Sequence, residues 1–105
     1  RVMKKMIRHI LLMKFDDNTP RKQLSLIQAG FLSIPDVLSG VLSVEWGANN
    51  SPEGKNAGFT HCVMMTFMDE STRAEYLCHP EHLALKNIFR TYLTDIIVFD
   101  YQFGR

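Results

Sequence analysis

The chain is short of most features that would name a chemistry outright. It has two cysteines, Cys62 and Cys78, and they form no CxxC pair, so neither a disulfide scaffold nor a paired-thiolate zinc site is encoded. Reduced, buried thiols in a cytoplasmic protein are the expectation. No apolar run approaches the roughly 18 residues that a membrane-spanning helix needs. Charge of one sign is missing too: 12 basic against 11 acidic side chains leave a net +1. The one basic cluster, Arg1, Lys4, Lys5 and Arg8, lies at the N-terminus, so no nucleic-acid footprint stands out. The glycines at 47, 54 and 58 do not have the spacing of a phosphate-cradling loop, and no Ser/His/Asp order appears.

What remains is an ordinary globular composition, 46% hydrophobic and 22% charged, which argues against disorder. At 105 residues the chain is expected to hold one domain and one core. That domain is placed at residues 6–103. Residues 1–5 are read as an N-terminal extension or an expression remnant, with Met3 or Met6 as the expected native start. Basic and apolar residues mix at the N-terminus, but Arg8, His9 and Lys14 interrupt the apolar run. A strand is expected there, not a signal peptide.

Alternation and helical spacing order the elements. Met6 to Phe15 alternates, with Ile7, His9, Leu11, Met13 and Phe15 on one face. A helix follows Pro20, with Leu24, Ile27, Phe31 and Ile34 at helical spacing, and Pro35 is expected to end it. Gly40 to Trp46 reads as a second strand, residues 47–58 as a hairpin loop able to lid a pocket, and Phe59 to Phe67 as a third strand. A helix opens at Asp69 and runs to about Leu77, another piece spans Pro80 to Leu93, and Ile96 to Phe103 closes the order as a strand. The pattern is βαββαβ, an α+β, ferredoxin-like fold with a four-stranded antiparallel sheet and the first and third strands central. Ile10, Leu12, Cys62 and Met64 then fall on the face without helices. That face is too apolar for water, and a second copy of the sheet is its expected cover.

Half of the four histidines stand in EYLCHPEH, residues 75–82. Pro80 disfavours helix at His79, so the helix should break there and restart, placing His82 in a first turn where an imidazolium is disfavoured. The break also spoils a shared face for His79 and His82, and no metal-ligand spacing results. Tyr76 and His82 are the candidate acid–base pair. His9 and His61, on neighbouring strands and pointing beneath the helices, are candidate pocket residues in an otherwise apolar layer. Cys78 is read as a small buried hydrophobe, Glu75 and Glu81 as solvated, and Trp46 and Tyr101 as core or interface residues.

Five blocks together, RHILLMKF (8–15), EWG (45–47), GFTHCVMMTF (58–67), YLCHPEH (76–82) and VFDY (98–101), resemble the stress-responsive A/B barrel (Dabb) family from about Met6 to Phe103. The resemblance implies a dimeric α+β barrel built from two ferredoxin-like subunits. Its members include plant stress proteins without an assigned reaction and a polyketide cyclase that performs a cofactor-free aldol condensation. The positions matching the cyclase's acid–base pair are Tyr76 and His82, with His9 and His61 lining the same pocket. The cyclase has a pocket tyrosine where Phe31 stands. It has glycines and a phenylalanine where Ala84, Leu85 and Lys86 stand, so Phe31 and Leu85 are expected to reshape the substrate space.

Two functions follow. The first is a homodimer of unassigned activity whose small apolar pocket binds a hydrophobic metabolite, with no metal, cofactor, nucleic acid or membrane partner. The alternative is a cofactor-independent cyclase, lyase or isomerase acting on an activated carbonyl compound through Tyr76 and His82.

Overall fold

The computed structural model describes residues 5–104, so the expected N-terminal extension lies, Lys5 apart, outside the described residues. The order is β1 (Met6–Phe15), α1 (Arg21–Leu32), α2 (Ile34–Val37), β2 (Val41–Ala48), β3 (His61–Phe67), α3 (Glu70–Leu77), α4 (Pro80–Arg90) and β4 (Leu93–Phe103). All strand pairs are antiparallel and the sheet order is β2-β3-β1-β4, the ferredoxin-like arrangement with β1 and β3 central.

The alternation in β1 translates directly into burial. Ile7, His9, Leu11, Met13 and Phe15 face the helices and are buried, while the intervening residues are half-buried. Val63, Met65 and Phe67 of β3 join them, and Ile27, Phe31, Leu85 and Phe89 close the layer from the helical side. Each fully buried side chain of this kind contributes roughly 1.5–3 kcal/mol of transfer free energy.

Both helical connections are split, and the two prolines act alike. Pro35 does not end the first helix as expected. It occupies the first turn of α2, where a missing N–H has no intrahelical partner to lose. The stop comes at Ser33, whose Oγ donates to the Gly30 carbonyl at 2.9 Å. Pro80 opens α4 in the same way, immediately after the break the sequence foretold.

On the other face, Ile97, Phe99 and Tyr101 of β4 stand opposite Leu12, Ile10 and Arg8 and are 43%, 61% and 45% exposed. Cys62 and Met64 continue this surface on β3. The molecule is only 17 Å across its thinnest direction, the depth of one sheet and one layer of helices. Among the described residues, no helix is long and apolar enough to cross a membrane.

One glycine is fixed by contact. Gly40 accepts a 2.8 Å hydrogen bond from the Met68 N–H, and a Cβ there would overlap the Thr72 side chain. Thr72 cannot swing aside cheaply, because its N–H and Oγ both donate to Asp69 Oδ1, at 2.8 and 2.9 Å. Gly40→Ala should therefore lower stability by about 1–3 kcal/mol in urea unfolding, and Thr72→Ala in the same chain should restore part of it.

Candidate active site

The site is organised from β1 outward. Register places His9 opposite Asp100 on β4, both on the helix-facing side. His9 is 4% exposed, and its Nδ1–H donates to Asp100 Oδ1 at 2.7 Å. The other carboxylate oxygen accepts from Arg73 Nη1 of α3 at 3.1 Å. A three-residue chain thus ties α3, β4 and β1 together. It also leaves His9 Nε2 as the ring nitrogen facing away from the carboxylate.

Tyr76 and His82 meet across the helix break. Their ring centroids are 4.3 Å apart and tilted by 36°, and Tyr76 also lies edge-on to His9 at 5.9 Å. The break that brings them together is capped by His79, whose Nδ1 accepts the Glu81 N–H at 3.1 Å. His79 is therefore a junction residue and not part of the histidine pair. His82 Nδ1–H donates to the Leu77 carbonyl at 3.2 Å, so in the neutral ring Nε2 carries the lone pair.

Burial lowers the His82 pKa below the usual histidine value, and the nearby charges of Lys86 and His9 lower it further. The Leu77 carbonyl opposes them. The sequence argument placed this effect in the helix N-terminus, but desolvation is the larger cause. Tyr76 is 1% exposed, and burial raises its phenol pKa. Its hydroxyl has no hydrogen-bond partner among the described residues.

His9 and His82 line a cleft of about 370 Å³ between α4 and the β1–β4 pair, walled by Leu11, Phe89, Ile96 and Val98. That volume falls within the range of small-ligand sites. Tyr76 is not in its wall and sits behind the two histidines.

The structure does not bring the other candidates here. His61 shares the helix-facing side with His9, as expected, but pairs with Met13, four residues farther along β1. At about 3.3 Å per residue that is about 13 Å away. Its ring packs on Phe15 and Trp46, and it lines a separate depression beneath the loop at residues 49–60. Phe31 stacks on Phe89 at 5.5 Å and Leu85 presses against Gly30, so both belong to the seam between α1 and α4. Cys78 is exposed instead of buried, because it caps α3, with Sγ donating to the Ala74 carbonyl at 3.3 Å. Among the described residues, no three His, Cys, Asp or Glu side chains gather as metal donors.

Asp100 and Arg73 were not among the sequence candidates. The signal for Asp100 was there: it is the one acid on a face that also carries Ile96, Val98 and Gln102.

Residues 7–103 match the Stress responsive A/B Barrel Domain family, nearly the whole chain. The chain belongs to that family. The domain is 25% identical over 95 residues to olivetolic acid cyclase from Cannabis sativa, covering 90% of this chain and 94% of the cyclase. It is 28% identical over 96 residues to the stress-response A/B barrel domain-containing protein HS1 of Arabidopsis thaliana, covering 91% and 88%. The fold superposes on the hydroxynitrile lyase of Passiflora edulis with a TM-score of 0.86 at 23% identity, over 94% of both chains.

Two outcomes follow for the Dabb domain. Since the Tyr76 hydroxyl has no partner among the described residues, Tyr76→Phe should leave the melting temperature unchanged or raise it, unlike a core truncation. His82 and His61 both have lowered pKa values, so the unfolded chain binds more protons than the folded one as pH falls below about 6.5. Their contribution to stability is complete at neutral pH and is lost on acidification. Urea midpoints at pH 7.5 and 5.5 should fall in that order, with a smaller fall in His82→Asn.

Proposed function

We propose that this Dabb domain binds a small hydrophobic carbonyl compound in the cleft and moves a proton on it by acid–base chemistry. The observation that carries the reading is His82: its Nδ1 is spent on the Leu77 carbonyl, its Nε2 is left for a ligand, it lines an apolar cleft, and burial lowers its pKa. A general base works best with a pKa near the operating pH.

In the proposed step, Nε2 of His82 takes a proton from the carbon next to the carbonyl. The C–H pair becomes the enolate double bond, and the carbonyl oxygen gains the displaced electron pair. In this step the carbonyl oxygen enters between the His9 and His82 rings to reach the hydroxyl of Tyr76 behind them, a neutral phenol that donates to it, while Asp100 and Arg73 steady His9. The same two groups in reverse return the proton to carbon. Olivetolic acid cyclase, by its name, closes a ring, and ring closure at a carbonyl begins with such a proton abstraction. We further propose a homodimer formed through the open sheet face, where Phe99, Tyr101 and Ile97 stand exposed, working in a reducing cytoplasmic setting that leaves Cys62 and Cys78 free.

A second reading is binding without turnover. It is favoured by one observation, that Tyr76 lies behind the cleft and not in its wall. Here the cleft holds a hydrophobic metabolite and the aromatic stack stabilises the helix junction.

Deuterium exchange at the carbon next to the carbonyl of 2-octanone, followed by NMR in D2O, separates the two. Catalysis predicts exchange above the buffer rate, reduced about 10²–10⁴-fold in His82→Ala with the fold intact. Exchange at the buffer rate in the native protein, with 2-octanone bound, leaves the binding reading standing alone.

A further inference from the structure

His82, Lys86 and Arg90 occupy positions four apart on α4, and all three line the cleft. Residues four apart share a helical face, and the axial rise places Lys86 about 6 Å and Arg90 about 12 Å beyond His82. The row therefore runs from the half-buried His82, beside the buried His9, to two cationic side chains that are exposed. Neither makes an ion pair with the chain's own acids among the described residues. By contrast, the nearest guanidinium behind the site, Arg73, is already engaged by Asp100. The opposite wall is apolar, formed by Leu11, Ile96 and Val98, with Val98 56% exposed despite facing the helices. One end of the cleft thus offers two histidine rings for hydrogen bonding, the opposite wall is hydrocarbon, and the far end carries two exposed positive charges with no ion-pair partner among the described residues.

We propose that the cleft selects amphipathic carboxylates. The polar or reacting end of the ligand lies at His9 and His82, its apolar chain along α4, and its carboxylate between Lys86 and Arg90 at the far end. This deepens the proposed function and rests on the cleft being the ligand site. A carboxylate needs two donors on one side, and an arginine with a lysine one turn away supplies a fork and a point charge. A cleft of about 370 Å³ accommodates an eight-carbon chain with its headgroup outside the apolar section. Arg90 in the last turn of α4 also complements the helix C-terminus, so its place in the row serves helix and ligand alike.

The test uses three probes of equal chain length, octanoate, 1-octanol and octylammonium, titrated into the full chain by calorimetry while the His82 ring signals are followed by NMR. The expected order of affinity is octanoate, then octanol, then octylammonium, with octanoate ahead of octanol by on the order of tenfold. All three bound ligands should move the His82 signals. In a Lys86→Gln, Arg90→Gln chain, octanoate should fall to the affinity of octanol while octanol is unchanged. Raising the salt should narrow the gap in the native chain. Octanoate binding no better than octanol, with both perturbing His82, overturns the carboxylate assignment and leaves the cleft reading intact. Octanoate binding that leaves the His82 signals in place is surface adsorption and also overturns it. Failure of all three to bind removes both the carboxylate assignment and the cleft as a ligand site.

Discussion

A single carboxylate holds the polar half of this domain in place. Asp100 sits in a layer of Ile, Val, Leu and Phe, where an unpaired charge costs several kcal/mol. Both of its oxygens are engaged, one by His9 on the central strand and the other by Arg73 on α3. Removing Asp100 leaves the buried His9 Nδ1–H without its acceptor, and removing His9 or Arg73 leaves one carboxylate oxygen without its partner. Through them α3 is set against the sheet at a fixed height. The height of α3 decides where Tyr76 falls, and the break after Leu77 decides where His82 meets it.

The helix junction makes a second kind of decision. Pro80 removes an N–H that a first turn does not use, and His79 satisfies the next donor with its ring. A histidine spent as a cap is unavailable for chemistry. His82, three residues later, is directed by a backbone carbonyl to present its other nitrogen. Two histidines in one short motif thus receive opposite assignments from the same backbone turn.

Much of this was legible in the residues. The alternation in Met6–Phe15 fixed which side of β1 is buried, and Pro80 fixed the break, because both effects are local. The assembly of the cleft was not legible, since it depends on how far apart same-facing residues lie. His61 points the way alternation says, yet pairing with Met13 carries it down the strand from His9. Phe31 and Leu85 are turned into the seam of the two helices by the close approach at Gly30, which spacing alone does not encode. Asp100 escaped notice because Ile96 to Phe99 is apolar in both registers, so alternation could not say which face the acid that follows would take.

That two-sided strand ties the domain's inside to its outside. Asp100 faces the helices, and its immediate neighbours Phe99 and Tyr101 face the opposite way, onto the uncovered sheet. The backbone between two such anchors has no independent freedom: whatever grips the aromatic pair also grips the acid. β4 is an edge strand paired only with β1, so one side of it is held by no ladder hydrogen bonds. The stiffness of the His9–Asp100–Arg73 chain is therefore coupled to the far side of the sheet, through aromatic side chains that touch none of its three members.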